Sequence, residues 1–137
     1  MRKASIWLLL LFCLSCHSLF TQKNNEYFEQ QAQRELDNKN YLQAIYYCNR
    51  SIDIDSSSVN AYLIKGESYV KLKKFNDALN QYNKILSIKP HDIAAYVEKG
   101  ILFYDKKQPD YAIQLYQTAL SYYKEDKIKD DKLKQAI

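Results

Sequence analysis

A chain of 137 residues with 47% apolar and 26% charged residues is one domain at most, with the composition of an ordinary soluble protein. Two glycines and two prolines exclude a β-rich fold, which needs many turns, and a net charge of +4 spread along the chain is too weak to argue for nucleic acid. Thirteen tyrosines, all between Tyr27 and Tyr123, suit helices that interlock through large half-polar side chains.

The first segment reads as an address rather than as part of the fold. Arg2 and Lys3 form a short basic region, and Ile6 to Leu14 is an unbroken apolar run, too short to span a bilayer. This is the layout of a secretory signal over 1–15. Leu14-Ser15-Cys16 resembles the end of a bacterial lipoprotein signal, in which a small residue precedes a cysteine that is lipidated and becomes the mature N-terminus. Cys13 departs from that pattern, where an aliphatic residue is usual. Simple cleavage after Ser15–Ser18 and an uncleaved anchor therefore stay open beside lipidation of Cys16. Removal of Arg2 and Lys3 would take the formal charge from +4 to +2. Residues 16–24 follow as a lipidated tether.

The helices are expected next, in alternation. Asn24, Ser58, Asp92 and Asp126 are helix-capping residue types at one constant spacing, and they predict four first helices near 25–38, 59–72, 93–106 and 127–137. Second helices are predicted near 42–54, 76–88 and 109–123. Pro90 stops one of them, and Pro109 is acceptable at a first helical position, where no amide bond is lost. Segment 127–137 keeps only Leu133, Ala136 and Ile137 as an apolar stripe, as a polar helix closing the end of a stack would.

The period carries more than caps. Shifted by the spacing of those caps, Gly66 becomes Gly100, Ala78 becomes Ala112 and Ala44, Tyr82 becomes Tyr116, and Tyr62 becomes Tyr96 and Phe28. The pattern resembles the tetratricopeptide repeat (TPR). Residues 59–92 supply Tyr62, Gly66, Tyr69, Ala78, Tyr82 and Pro90, departing at Lys65 and Ile85. Residues 93–126 supply Tyr96, Gly100, Phe103, Ala112, Tyr116 and Ala119, departing at Lys99 and Lys124. Residues 25–58 match at Phe28, Ala32, Ala44 and Ser51 but not at Gln31, Glu35, Cys48 or Ser56. The resemblance implies an all-α solenoid of helical hairpins with three TPR units, 25–58, 59–92 and 93–126, plus a C-terminal capping helix.

Chemistry is scarcely represented. The histidines are His17 and His91, and neither joins a nucleophile or a metal-ligand set. Cys13 and Cys16 have CxxC spacing but lie in the targeting segment. Asp53, Asp55 and Ser56–Ser58 lack the glycine and closing glutamate of a calcium loop. Cys48 reads as a small core residue. No enzyme, cofactor or nucleic-acid partner is expected.

The resemblance instead implies binding. In the family the first helices line a concave groove, and the positions facing it carry over as Glu26, Glu29, Gln33, Leu36 and Asp37, then Asn60, Leu63, Glu67, Val70 and Lys71, then Ala94, Val97, Ile101, Tyr104 and Asp105. Such a groove is acidic at its N-terminal end and apolar at its C-terminal end. The repeats carry −3, +3 and −1 in turn. A subtype of the family grips chaperone C-terminal carboxylates with cations. Here those positions hold Glu29, Gln33, Ile64, Ala94 and Glu98, none of them cationic. The expected role is a non-catalytic scaffold of the cell envelope, membrane-anchored through Cys16, that presents its groove to a protein or peptide and serves assembly of an envelope complex. Alternatives are a self-associating solenoid, as a homo-oligomer, and an accessory subunit regulating an enzyme complex.

Overall fold

The computed structural model describes the backbone of residues 21–135 and the side chains of residues 21–130. The signal segment 1–15, the lipidation candidate Cys16, His17 and the start of the tether lie outside the described residues. Within them the chain forms six α-helices and no strand: α1 (21–37), α2 (Tyr41–Ile54), α3 (Val59–Lys71), α4 (Phe75–Ile88), α5 (Ile93–Asp105) and α6 (Pro109–Gln135). From α2 onward each helix packs on the next in sequence, which is the quasi-one-dimensional arrangement of a repeat array.

Two kinds of turn alternate. Inside each hairpin the chain reverses at Lys39, Lys73 and Lys107, all left-handed with φ of 64°, 58° and 62°. The Lys73 amide donates to the Val70 carbonyl at 2.9 Å and the Lys74 amide to the Tyr69 carbonyl at 2.8 Å, with the same pair of bonds at the other two turns. These bonds satisfy carbonyls that the helix end leaves free. Between hairpins the turn is built from side chains. Asp55 Oδ1 accepts from the Ser57 amide at 2.9 Å, and Ser58 Oγ caps α3 by accepting from the Ala61 amide at 3.1 Å. Asp92 Oδ1 caps α5 through the Ala95 amide at 2.9 Å. The tyrosine at the fourth position of each following helix reaches back over the turn. Tyr62 donates to the Ser56 carbonyl and Tyr96 to the Pro90 carbonyl, both at 3.2 Å.

Two of the expected caps are not caps. Asn24 lies inside α1, which already runs at residue 21, so residues 21–24 are helix rather than tether. Asp126 lies inside α6, so 127–137 does not begin a separate closing helix. The physical reason is the missing stop. Asp55 with its serines, and Pro90, end α2 and α4, whereas Tyr123-Lys124-Glu125-Asp126 holds neither a proline nor a side chain folded onto the turn. A capping side chain acts only where the preceding backbone has already left the helix.

The core is small and layered. Ala32, Leu36, Ala44, Cys48 and Ile64 form one buried cluster, and Tyr62, Ala78, Tyr82, Ile85, Ala95 and Leu102 form the other. Leu36, expected in the groove, belongs to the first cluster and is buried between α1 and α2. Burial of Cys48 pushes its thiol up to about 12, so it is inert at neutral pH. Each hairpin closes at one close approach. A β-carbon on Gly66 would stand 2.5 Å from Tyr82 Cε1, and one on Gly100 would meet the Tyr116 ring in the same way. In the first hairpin the equivalent pair is Ala32 and Cys48, both fully buried. The smaller cysteine makes room for the alanine methyl.

Candidate functional site

The concave positions come from α1, α3 and α5. At the N-terminal end, Glu26, Glu29, Gln30, Gln33 and Asn60 line an open depression of about 330 Å³. Its centre is not free charge. Glu29 Oε1 accepts from Ser58 Oγ at 2.5 Å and from Asn25 Nδ2 at 3.2 Å, while Oε2 accepts from Asn60 Nδ2 at 2.9 Å. Ser51 Oγ in turn donates to Asn25 Oδ1 at 2.5 Å. This network joins α1, α2 and the cap of α3, so Glu29 holds repeats together. Glu26 and Asp37 stay exposed, accepting only from their own helix, from Gln30 Nε2 at 3.4 Å and Gln33 Nε2 at 2.9 Å.

In the middle of the face, the charge of Glu67 on α3 acts on Glu98 of α5. Glu98 is half-buried, and its carboxyl is held above the usual range, first by burial and then by the Glu67 charge, against a smaller pull from Tyr82 and Lys71. The Tyr82 hydroxyl is fully buried beside it and makes no well-formed hydrogen bond. Burial, Glu98 and Glu67 together push that hydroxyl up. Glu98 is not among the general groove positions, although it holds one of the chaperone-grip positions. It stands one repeat after Ile64, a core residue, so the repeat frame alone assigns the position to packing.

The apolar positions divide. Leu63 and Val70 are half-buried against the second core cluster, where they pack within the array. Val97 is half-buried and lines a depression between α5 and α6. Ala94, Ile101 and Tyr104 are at least partly open to solvent, Tyr104 by 63%. The accessible part of the concave face is thus Glu26, Gln33, Asp37, Asn60, Glu67 and Lys71, followed by Ala94, Ile101, Tyr104 and Asp105. Among the described residues no group of three or more His, Cys, Asp or Glu could hold a metal ion, and no helix is long and apolar enough to cross a membrane.

Solved structures similar to this one are repeat solenoids. The crystal structure of MamA aligns with a TM-score of 0.70 at 27% identity over 77% of this chain, which spans 61% of the MamA chain. The Arabidopsis OM64 TPR domain aligns with a TM-score of 0.70 at 16% identity, over 85% of this chain and 99% of that one. The second TPR of Spaghetti (RPAP3), bound to the HSP90 peptide SRMEEVD, aligns with a TM-score of 0.67 at 16% identity, over 74% and 96%. The latter two likenesses are of fold alone. No curated protein matches the sequence. A family profile described as anaphase-promoting complex, cyclosome, subunit 3 matches residues 5–85, more than half of the chain. The hairpin closed at Gly66 lies within the matched residues, and the chain belongs to this family as a tetratricopeptide-repeat protein.

Proposed function

We propose that the protein is a non-catalytic scaffold whose concave face binds a segment of another protein, one that brings a basic side chain next to an apolar anchor. The observation that carries this is the Glu67–Glu98 pair. The Glu67 charge on α3 acts across to Glu98 on α5, whose proton is held more tightly than usual because burial and that repulsion outweigh the pull of Tyr82 and Lys71. A lysine or arginine placed between them would cancel the repulsion and offset the cost of burying the Glu98 charge. Ile101 and Tyr104 lie exposed further along α5, where an apolar side chain of the same segment would rest. The Spaghetti domain holds an acidic peptide, SRMEEVD. Exposed carboxylates at Glu26, Asp37 and Glu67 repel such a tail, so the preference here is of opposite sign.

We infer further, from Arg2 and Lys3 before the apolar run of residues 6–14 and from Leu14-Ser15-Cys16, that the protein is exported to the cell envelope and held at a membrane by lipid on Cys16, where it serves assembly of a larger complex. Fatty-acid labelling that disappears in Cys16→Ala supports this, and labelling that survives the substitution refutes it. The binding reading is tested with the full chain on a peptide array of varied charge. Peptides pairing a basic residue with an apolar one should bind. Glu67→Gln with Glu98→Gln should weaken them at least tenfold and flatten their salt dependence. Tyr104→Ala should weaken them as well, by about 1–2 kcal/mol or more for an aromatic hot spot. A preference for acidic peptides, or binding indifferent to both changes, would refute it.

A further inference from the structure

Ile93, Val97, Tyr116, Ala119, Leu120 and Tyr123 line an apolar depression of about 260 Å³ between α5 and α6. Moved back by one repeat, the first five become Val59, Leu63, Tyr82, Ile85 and Leu86, all members of the second core cluster or packed against it. In that seat α5 inserts Ala95 and Leu102, which are 0% and 1% exposed. The depression is therefore the same seat one repeat further on, with no described helix on it. Tyr82 is 0% exposed where Tyr116 is 36%, and Leu86 is half-buried where Leu120 is 50% exposed.

The rim matches too. α5 ties itself to α4 by Lys99 Nζ donating to Asn83 Oδ1 at 2.8 Å and Lys106 Nζ to Asn76 Oδ1 at 3.4 Å. α6 carries Gln117 and Asp110 at the corresponding positions, both exposed. A neutral acceptor has become a carboxylate, so a cation suits the second position better here than on α4.

The geometry points to a second binding surface, separate from the concave face: the α5–α6 seat takes an amphipathic helix of another protein. That helix carries a small residue and a leucine seven apart on its buried face. A lysine four residues after the small one reaches Gln117, and a basic residue eleven after it reaches Asp110. The spacing is that of Ala95, Lys99, Leu102 and Lys106 on α5. Neither described end of this chain fits. α1 presents Tyr27 and Arg34, both exposed, at the positions where α5 inserts Ala95 and Leu102, so stacking a second copy head-to-tail would press a bulky ring and a guanidinium into an apolar seat. The stretch after Asp126 continues α6, and it puts Lys129 at the position of Ala95.

The probe is a labelled synthetic peptide of residues 92–107 of this chain, the helix that fills the equivalent seat, titrated into the full chain and followed by fluorescence anisotropy. Saturable one-to-one binding is expected. Leu120→Glu and Tyr123→Glu, both at half-exposed positions and checked for wild-type melting, should each weaken it at least tenfold. Asp110→Lys should weaken it by a smaller factor. Absence of binding, or binding indifferent to both glutamate variants, overturns the proposal. So does a dimer of the full chain that either glutamate variant converts to monomer, because the seat then belongs to a second copy. Failure of the charged-peptide array leaves this surface unaffected, since neither Glu67 nor Glu98 lines it.

Discussion

The second and third hairpins close on the same glycine–tyrosine pair at the same spacing, yet one tyrosine is core and the other reaches the surface. Gly66 faces a tyrosine that is 0% exposed, and Gly100 faces one that is 36% exposed. The difference is not in either hairpin. It is the presence of α5 over Tyr82 and the absence of any described helix over Tyr116. In a repeat array the neighbour decides burial, so the same glycine–tyrosine contact acquires different energetic weight by its place in the stack.

The sharpest way to break this comparison is to overpack both glycines. Gly66→Leu must displace a ring locked on all sides, and should cost about 3 kcal/mol or more in chemical denaturation. Gly100→Leu can push Tyr116 toward solvent, and should cost about 1 kcal/mol. Equal costs would mean that Tyr116 is as confined as Tyr82. The first hairpin supplies a rescue. Gly66→Ala with Tyr82→Cys recreates the Ala32–Cys48 pair, so the double variant should be more stable than the sum of the single ones implies. Additive losses would remove steric coupling as the reason for the glycine.

A smaller contrast lies between two neighbouring glutamates of α1. Glu29→Lys breaks three hydrogen bonds, two of which join α1 to the start of α3, and should cost about 2 kcal/mol of stability, in the range for bonds to a charged group. Glu26→Lys, exposed and held only by Gln30, should stay within about 0.5 kcal/mol. Thermal melting of both separates them. A Glu29→Lys chain that melts with the wild type would return that residue to the binding surface.

Much of the fold is legible in the sequence because the period repeats its punctuation. Ser58 and Asp92 cap where their type and spacing place them, and Pro109 opens α6. Asn24 and Asp126 share the type but not the stop before them, and a cap residue without a preceding stop stays inside its helix. The groove is less legible. Glu29 looks like a groove carboxylate until Ser58 and Asn60, a whole hairpin later in sequence, come within reach of it. Leu36 has the spacing of the groove but packs under α2. The left-handed lysines Lys39, Lys73 and Lys107 do leave a trace, a lysine at the same place in every repeat, though its meaning as a turn with positive φ shows only in the backbone.

The smallest effect concerns the two covered seats. Where α3 places Ile64 against α2, 4% exposed, α5 places Glu98 against α4. The folded chain holds the Glu98 proton more tightly than the unfolded chain does, because burial and Glu67 raise its carboxyl by more than Tyr82 and Lys71 lower it. A group raised in this way contributes stability that is complete below its unfolded pKa, about 4.3, and is lost as pH rises through the higher folded value. Above that folded value the contribution is gone, and the ionised, half-buried carboxylate weighs against the fold. Glu98→Gln removes the charge and keeps the shape, so it should melt higher than the wild type at pH 7. The gap should close as pH falls toward 4.5, where the wild type recovers its proton. Its direction is opposite to that of a carboxylate stabilised by a cation, which loses stability in acid. A gap that stays constant with pH, or a glutamine variant that melts lower at pH 7, would place Glu98 among ordinary surface carboxylates and take the strain out of the Glu67–Glu98 pair.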